Sequence, residues 1–366
     1  MKKNLRKAVG SLMMVGLGTH ELSRLERTWL RLIGPSGVIL FARNINNAQQ
    51  TQSLLNDAAK LCAEHPFACV DVEGGSVDRL RSALAPIPSA QRVANTGRPT
   101  RMREHGELIA RAVTAFGFNT TLAPVLDLST PLCSPVMGTR TASSFPAAVI
   151  EYAREFLVGL ATGGVIGCGK HFPGLGGATL DSHILTPAID RQWSELWRDD
   201  LAPYRELHSQ LPMIMVNHAA YPSTRGIDKP ASISSFWITT VLRKRINYKG
   251  LILSDDMEMG GILKSLPIEQ AAVASVRAGM DLLEICHTVE LILECYEALL
   301  HEAERSESFC TLVMNRAAAV ARHRSRFFGR SLRAQPSGKL PSPKQMAALR
   351  DRILRFSACI EKEQPV

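Results

Sequence analysis

The sequence predicts an α/β protein folded as a single (β/α)8 barrel of the TIM type with a C-terminal tail. Three observations lead there. Eight short, near-continuous apolar runs recur along the chain, stretches of helical pattern lie between them, and five consecutive runs end in polar or charged residues. Apolar runs alternating with helices mean parallel strands covered on the outside. Eight such units in about 320 residues is the count for a (β/α)8 barrel, with a doubly wound sheet as the competing arrangement.

The first run is SLMMVG near residue 13. It follows MKKNLRK, and a basic start before a short apolar stretch resembles a secretion signal. The stretch AVGSLMMVGLG carries four Gly or Ser residues and no A-x-A-like site follows, so it reads as the first strand. ELSRLERTWLRLI then has helical apolar spacing. GVILF from Gly37 is the second strand, and residues 47–64 are helical by composition. FACVDV from Phe67 is the third. A helix over residues 101–115 leads to TTLAPVL from Thr120, and one over 147–161 leads to VIGCGK from Val165. PMIMVN from Pro212, LILS from Leu251 and DLLEI from Asp281 complete the set, with a helix over 268–278 before the last. Residues 1–330 are assigned to the barrel. Residues 331–366 open with SLRAQPSGKLPSPKQ, a Pro/Ser/Lys-rich linker, and close with an amphipathic stretch read as a docked or solvated helix.

Composition narrows the function. Apolar residues make up 45% of the chain and charged residues 21%, an ordinary globular profile. The formal charge is +9, but the basic residues are scattered and no aromatic–basic stripe accompanies them, so nucleic acid is not expected. A mildly anionic substrate suits the charge equally well. No apolar run approaches the roughly 18 residues of a spanning helix, so no membrane is expected. Eight cysteines without a CxxC pair read as buried thiols, which points to a reducing compartment and a cytoplasmic location.

Barrel chemistry sits at the C-terminal ends of strands, and the polar residues comply. Asp71 and Glu73 close the third run and Asp127 follows the fourth. Lys170 and His171 close the fifth, Asn217 and His218 the sixth, Asp255 and Asp256 the seventh. Asp255 could cap the next helix, or it could act as nucleophile, base or ligand in the barrel mouth. His183 lies two residues after Asp181, which can fix its tautomer and leave the other nitrogen to move a proton. Asp71 and Arg79 flank the turn at Gly74–Gly75, as an ion pair or as a holder of sugar hydroxyls. A metal site from His171, Asp181, His183 and His218 competes, but no helical H-x-x-x-H or H-E-x-x-H spacing supports it; neither metal nor cofactor is expected.

Together these segments resemble glycoside hydrolase family 3, and within it the single-domain bacterial β-N-acetylhexosaminidases. The resemblance runs over roughly residues 10–325, through GVILFARNI, D-x-E-G-G-x-V-x-R-L, LAPVLD, G-x-R at 138–140, K-H-F-P-G-x-G-x-x-x-x-D-S-H, H-x-x-Y-P, PASIS and LILSDDMEM. It implies Asp255 as nucleophile and His183 as acid/base catalyst partnered by Asp181. Asp71, Arg79, Arg140, Lys170 and His171 match sugar-binding positions. It further implies a monomer that needs no cofactor and releases N-acetylglucosamine from muropeptides in the cytoplasm during peptidoglycan recycling. A phosphorylase and a non-catalytic muropeptide-binding protein are the rivals. The chain departs from the pattern at Val72 and Ser76, at Leu175, where the family has histidine, and at Asn217. These departures are expected to affect the pocket, the loop and the rate without removing a catalytic group.

Overall fold

The computed structural model describes residues 2–131, 137–177, 187–224, 229–328 and 340–364. All eight apolar runs form strands of one closed parallel barrel: β1 Met13–Gly16, β2 Gly37–Leu40, β3 Phe67–Val70, β4 Thr120–Thr121, β5 Ile166–Phe172, β6 Met213–Val216, β7 Leu251–Asp256 and β8 Leu282–Ile285. Each strand pairs with its neighbours in sequence, and β1 closes on β8 through Met13↔Leu283 and Val15↔Ile285. The doubly wound alternative is thereby excluded. Strands β1, β2, β3, β6 and β8 are buried along their whole length. That is why they read as unbroken apolar runs rather than alternating ones.

The helices form where the sequence supplies starts and stops. Ser23 and Glu26 make a capping box for helix Arg24–Ile33, and Gly34 ends it in the left-handed conformation at φ 62°, the usual division of labour between the two ends. Helix Ile268–Ala278 has the predicted bounds. Helices Pro99–Ala115 and Pro146–Thr162 both carry proline in the first turn, where its missing N–H costs nothing. They pack so closely that a Cβ on Gly106 would lie 2.2 Å from the Phe156 carbonyl oxygen, and one on Gly159 2.2 Å from that of Arg103. Glycine is required there by backbone contact alone.

One helix at the start of the described chain was not legible as such. Lys2–Gly10 is helical rather than a bare flank of β1, and it buries Leu5, Ala8 and Val9 against helices Val289–Arg305 and Glu307–Phe328. Apolar residues at 5, 8, 9 and 12 have helical spacing, hidden by Arg6 and Lys7 between them. Phe328 at the end of the long helix meets Phe67, the first residue of β3, with ring centroids 5.6 Å apart. The long helix thus covers the end of the barrel where β3 begins.

Helix Pro343–Lys362, in the C-terminal tail, lies on the helices Ala90–Ala94 and Pro99–Ala115. Ile353, Phe356 and Ile360 are buried, and Phe356 stacks on His105 with interplanar angle 18°. Arg101 and Arg98 pair with Glu363 at 2.8 and 3.1 Å. This helix is docked, not solvated. In urea denaturation, Phe356→Ala should cost about 3 kcal/mol, the usual range for emptying an aromatic site. A loss below about 0.5 kcal/mol, typical of surface changes, would show that the helix is only loosely attached.

Candidate active site

The open end of the barrel holds a cavity of about 400 Å³ walled by residues at or just beyond strand ends. Asp71 follows β3, Lys170 and His171 lie within the last turns of β5, Asp255 and Asp256 end β7, and Glu284 belongs to β8. Arg79 and Arg140 reach in from loops. Phe41, after β2, adds an aromatic wall, with the Arg43 guanidinium 4.7 Å and that of Arg79 5.6 Å from its ring centre.

A network of buried charges organises this cavity. The Lys170 ammonium lies 2.9 Å from Asp71 Oδ1 and 2.6 Å from Glu73 Oε1. Arg140 grips Glu73 with two parallel bonds, Nε to Oε2 and Nη2 to Oε1, each 2.8 Å. That fork geometry suits guanidinium and carboxylate. Arg79 stands 3.6 Å from the second Asp71 oxygen. Burial opposes ionisation of Asp71, but Lys170 and then Arg79 outweigh it and hold the carboxyl below its usual range. Burial likewise opposes Glu73, and Arg140 with Lys170 pulls it lower still. Lys170 is raised against its own burial by the same two carboxylates. All of these groups are charged at neutral pH, so the cavity is lined by fixed ions.

A second set of bonds fixes the histidine. Asp127, wholly buried after β4, accepts from His171 Nδ1 at 2.6 Å and from the His171 backbone N–H at 3.2 Å through Oδ2. Its Oδ1 accepts from the Leu175 N–H at 2.7 Å. One carboxylate thus sets the imidazole tautomer and anchors the start of the loop that leaves β5. The His171 Nε2 faces Arg140 at 3.3 Å. Leu175 is buried and lines the cavity, so the residue that replaces a family histidine packs as an apolar wall.

The two aspartates of β7 divide their work. Asp256 accepts the Glu258 N–H at 3.1 Å and lies 3.4 Å from the His287 imidazole, so it orders the following turn. Asp255 Oδ1 accepts the Asp256 N–H at 3.0 Å, and Asp255 has no ion pair among the described residues. His218 is buried beside β7, with Nδ1 to Ser232 Oγ at 2.7 Å and Nε2 to the Asp256 carbonyl at 3.0 Å. Both of its nitrogens are committed, and both of His171 face protein partners. The set His171, His218, Asp181, His183 therefore offers a metal little from its described members.

The structure brings together six of the predicted residues: Asp71, Arg79, Arg140, Lys170, His171 and Asp255 all line the one cavity. Asp181 and His183 lie outside the described residues, as does Cys133. Val72 and Ser76 do not line the cavity. Val72 is buried and Ser76 exposed, so neither of these two departures alters the cavity walls. Asn217 ties strand ends together, with Nδ2 donating to the His171 carbonyl at 2.9 Å and to Tyr221 at 3.0 Å. Sequence reasoning noted Glu73 and Asp127 at strand ends without assigning them a task. It missed Glu284, whose signal is an acid set among the apolar residues of the run DLLEI.

Comparison with known proteins follows the same path. Residues 4–322 match the model of the glycosyl hydrolase family 3 N-terminal domain. A protein of Idiomarina loihiensis named beta-hexosaminidase is 36% identical over 280 residues, 75% of this chain and 83% of that one. A glycoside hydrolase family 3 beta-N-acetylglucosaminidase from Paenibacillus sp. str. FPU-7 superimposes with TM-score 0.84 at 28% identity, over 96% of this chain and 68% of that chain. NagZ from Neisseria gonorrhoeae, solved in complex with N-trifluoroacetyl-D-glucosamine, does so with TM-score 0.78 at 27% identity, over 97% and 98%.

The charge network makes a testable demand. Lys170→Met leaves Asp71 and Glu73 buried without their shared cation, and should cost about 3–5 kcal/mol in urea denaturation at pH 7. Both carboxyls are held below their unfolded values, so the stability they contribute is whole above about pH 4.5 and is lost as the pH falls. The gap between the parent and the variant should therefore narrow from pH 6 to pH 3. An unchanged gap would show that the ammonium is not what holds these carboxylates ionised.

Proposed function

The chain belongs to glycosyl hydrolase family 3, and from that premise we propose that this glycoside hydrolase is a retaining exo-β-N-acetylhexosaminidase. Its substrate would be a cell-wall fragment ending in N-acetylglucosamine, and its place the cytoplasm. The relatives named beta-hexosaminidase and the neighbour bound to N-trifluoroacetyl-D-glucosamine support the choice of sugar. Seven free cysteines among the described residues suit a reducing compartment, and no described helix is long and apolar enough to cross a membrane. Catalysis is assigned to residues 1–330, and none of it to 331–366.

One observation carries the mechanism. Asp255 stands at the end of a barrel strand, in the cavity, without a cation to neutralise it among the described residues. The acids beside it are held by the protein: Asp71 pairs with Lys170 and Glu73 with Arg140, while Asp256 accepts the Glu258 N–H and lies 3.4 Å from the His287 imidazole. An unpaired carboxylate is the better nucleophile. Asp255 attacks the anomeric carbon as the bond to the leaving oxygen breaks, giving a glycosyl ester. His183, protonated and steadied by Asp181, gives its proton to the leaving oxygen. It then takes one from the water that cleaves the ester. These two roles rest on the D-S-H spacing in the sequence.

The sugar is held by the charge network. Asp71 accepts hydrogen bonds from hydroxyls, Arg79, Arg140 and Lys170 donate around it, and His171, its Nδ1 proton held by Asp127, offers Nε2 as an acceptor. Glu73 and Asp127 do not need to touch the sugar; they fix these groups in position. A histidine acid/base catalyst also tolerates an anionic aglycone better than a carboxylate would.

The test is release of 4-nitrophenol from its N-acetyl-β-glucosaminide. Asp255→Ala should lower kcat by about 10³-fold or more, and activity that survives would defeat the assignment. His183→Ala should cripple poorly activated substrates most, since a nitrophenolate leaves without a proton. Adding phosphate and looking for a sugar 1-phosphate separates hydrolysis from phosphorolysis.

A further inference from the structure

We propose that Glu284 is a substrate-contacting residue, whose carboxyl at the floor of the cavity hydrogen-bonds a hydroxyl of the sugar held between Asp71 and Asp255. The inference rests on the reading of this cavity as the sugar site and adds a residue to it. Glu284 is 2% exposed, yet it is part of the cavity wall. Its backbone is fully used: the N–H donates to Ser254 Oγ at 3.0 Å, and the carbonyl accepts from Met257 at 2.8 Å. The side chain is not. Oε1 is buried and has no hydrogen-bond partner.

Such an atom is uncommon, because buried polar groups are nearly always paired. Among the described residues lining the cavity, two buried polar side-chain atoms lack a partner: Arg79 Nε and Glu284 Oε1. Arg79 was already a sugar-binding candidate from the sequence. The criterion that fits Arg79 selects Glu284 by itself, without reference to any motif. Both residues line the cavity and neither atom is met by the protein, which leaves a bound ligand as the partner.

The surroundings settle what kind of partner Glu284 can be. Burial raises its pKa well above that of an ordinary glutamate, and Asp71, Asp256 and Asp255 push it further, with Lys170 acting in the opposite direction. Glu284 therefore favours its protonated, neutral form. A neutral carboxyl both donates and accepts, as a sugar hydroxyl does. An ionised one would repel the anionic groups beside it. Leucine has similar bulk and would fill the place more comfortably in the free protein. The acid is therefore expected to weaken the empty barrel and strengthen the occupied one.

Calorimetric titration of the full chain with N-acetylglucosamine tests this, using the parent, Glu284→Leu and Glu284→Gln. The leucine variant should bind about ten-fold more weakly, the loss of roughly one buried hydrogen bond, while its Tm holds or rises. Glutamine still donates and accepts at that place and should stay within about three-fold of the parent. If the leucine variant does not fold, Glu284→Ala is expected to show the same weakening. Parent-like affinity in the apolar variant defeats this proposal alone, because the parent has then shown that the cavity takes the sugar. Absence of binding by the parent defeats the reading of the cavity and the proposal with it.

Discussion

The ammonium of Lys170 is the group on which the cavity depends. It lies within ion-pair distance of both Asp71 and Glu73, and Glu73 in turn fixes Arg140. Carboxylates from the third strand end would otherwise repel one another in a medium that screens poorly. The cation allows both to be ionised, and they keep it charged at a depth where burial would favour the neutral amine. Each charge is therefore tolerated only because the others are present. Such a network has a steep desolvation cost, which suits a site whose purpose is orientation rather than stability.

Chemistry and stability are assigned to opposite ends of the molecule. Helices Lys2–Gly10 and Glu307–Phe328 pack on each other, and the second covers the start of β3 through Phe328 and Phe67. At the other end the side chains are charged, the bonds run between neighbouring strands, and a cavity is left open. Asp127 and Asn217 show how that end is held without an apolar core: each crosslinks backbone to side chain across strand ends. Rigidity there comes from directional bonds, so it can be precise without being densely packed.

The barrel was legible because its two periodic signals are local. Every strand is a short apolar run, and the helix Ile268–Ala278 carries its own bounds in sequence. The cavity was legible for a related reason, since in this fold position along a strand predicts position in space: Lys170 and Asp255 are 85 residues apart in number yet line the same cavity. What escaped were relations that no single segment contains. Glu73 looked like one more acid beside Asp71 until Arg140, from a loop 67 residues away, closed on it. Glu284 gave no motif, because its significance is a missing partner, and an absence has no local pattern. Helix Lys2–Gly10 was masked by charge on its solvent face.

The seam between β1 and β8 has a consequence for how the chain is made. Met13 pairs with Leu283, a separation of about 270 residues, so one edge of the first strand has no partner until the last is synthesised. At roughly 5–20 residues per second, that edge waits on the order of 15–50 s. During that time β1 presents unpaired N–H and C=O groups on an apolar ribbon, the kind of edge that recruits other chains. Helix Arg24–Ile33 and strands β2 and β3 can meanwhile pack onto its other side. Arg43 then donates to the carbonyls of Leu17 and Cys286, just beyond the two strands, and clasps the seam once both are in place. Biogenesis of this barrel is thus paced by its final strand.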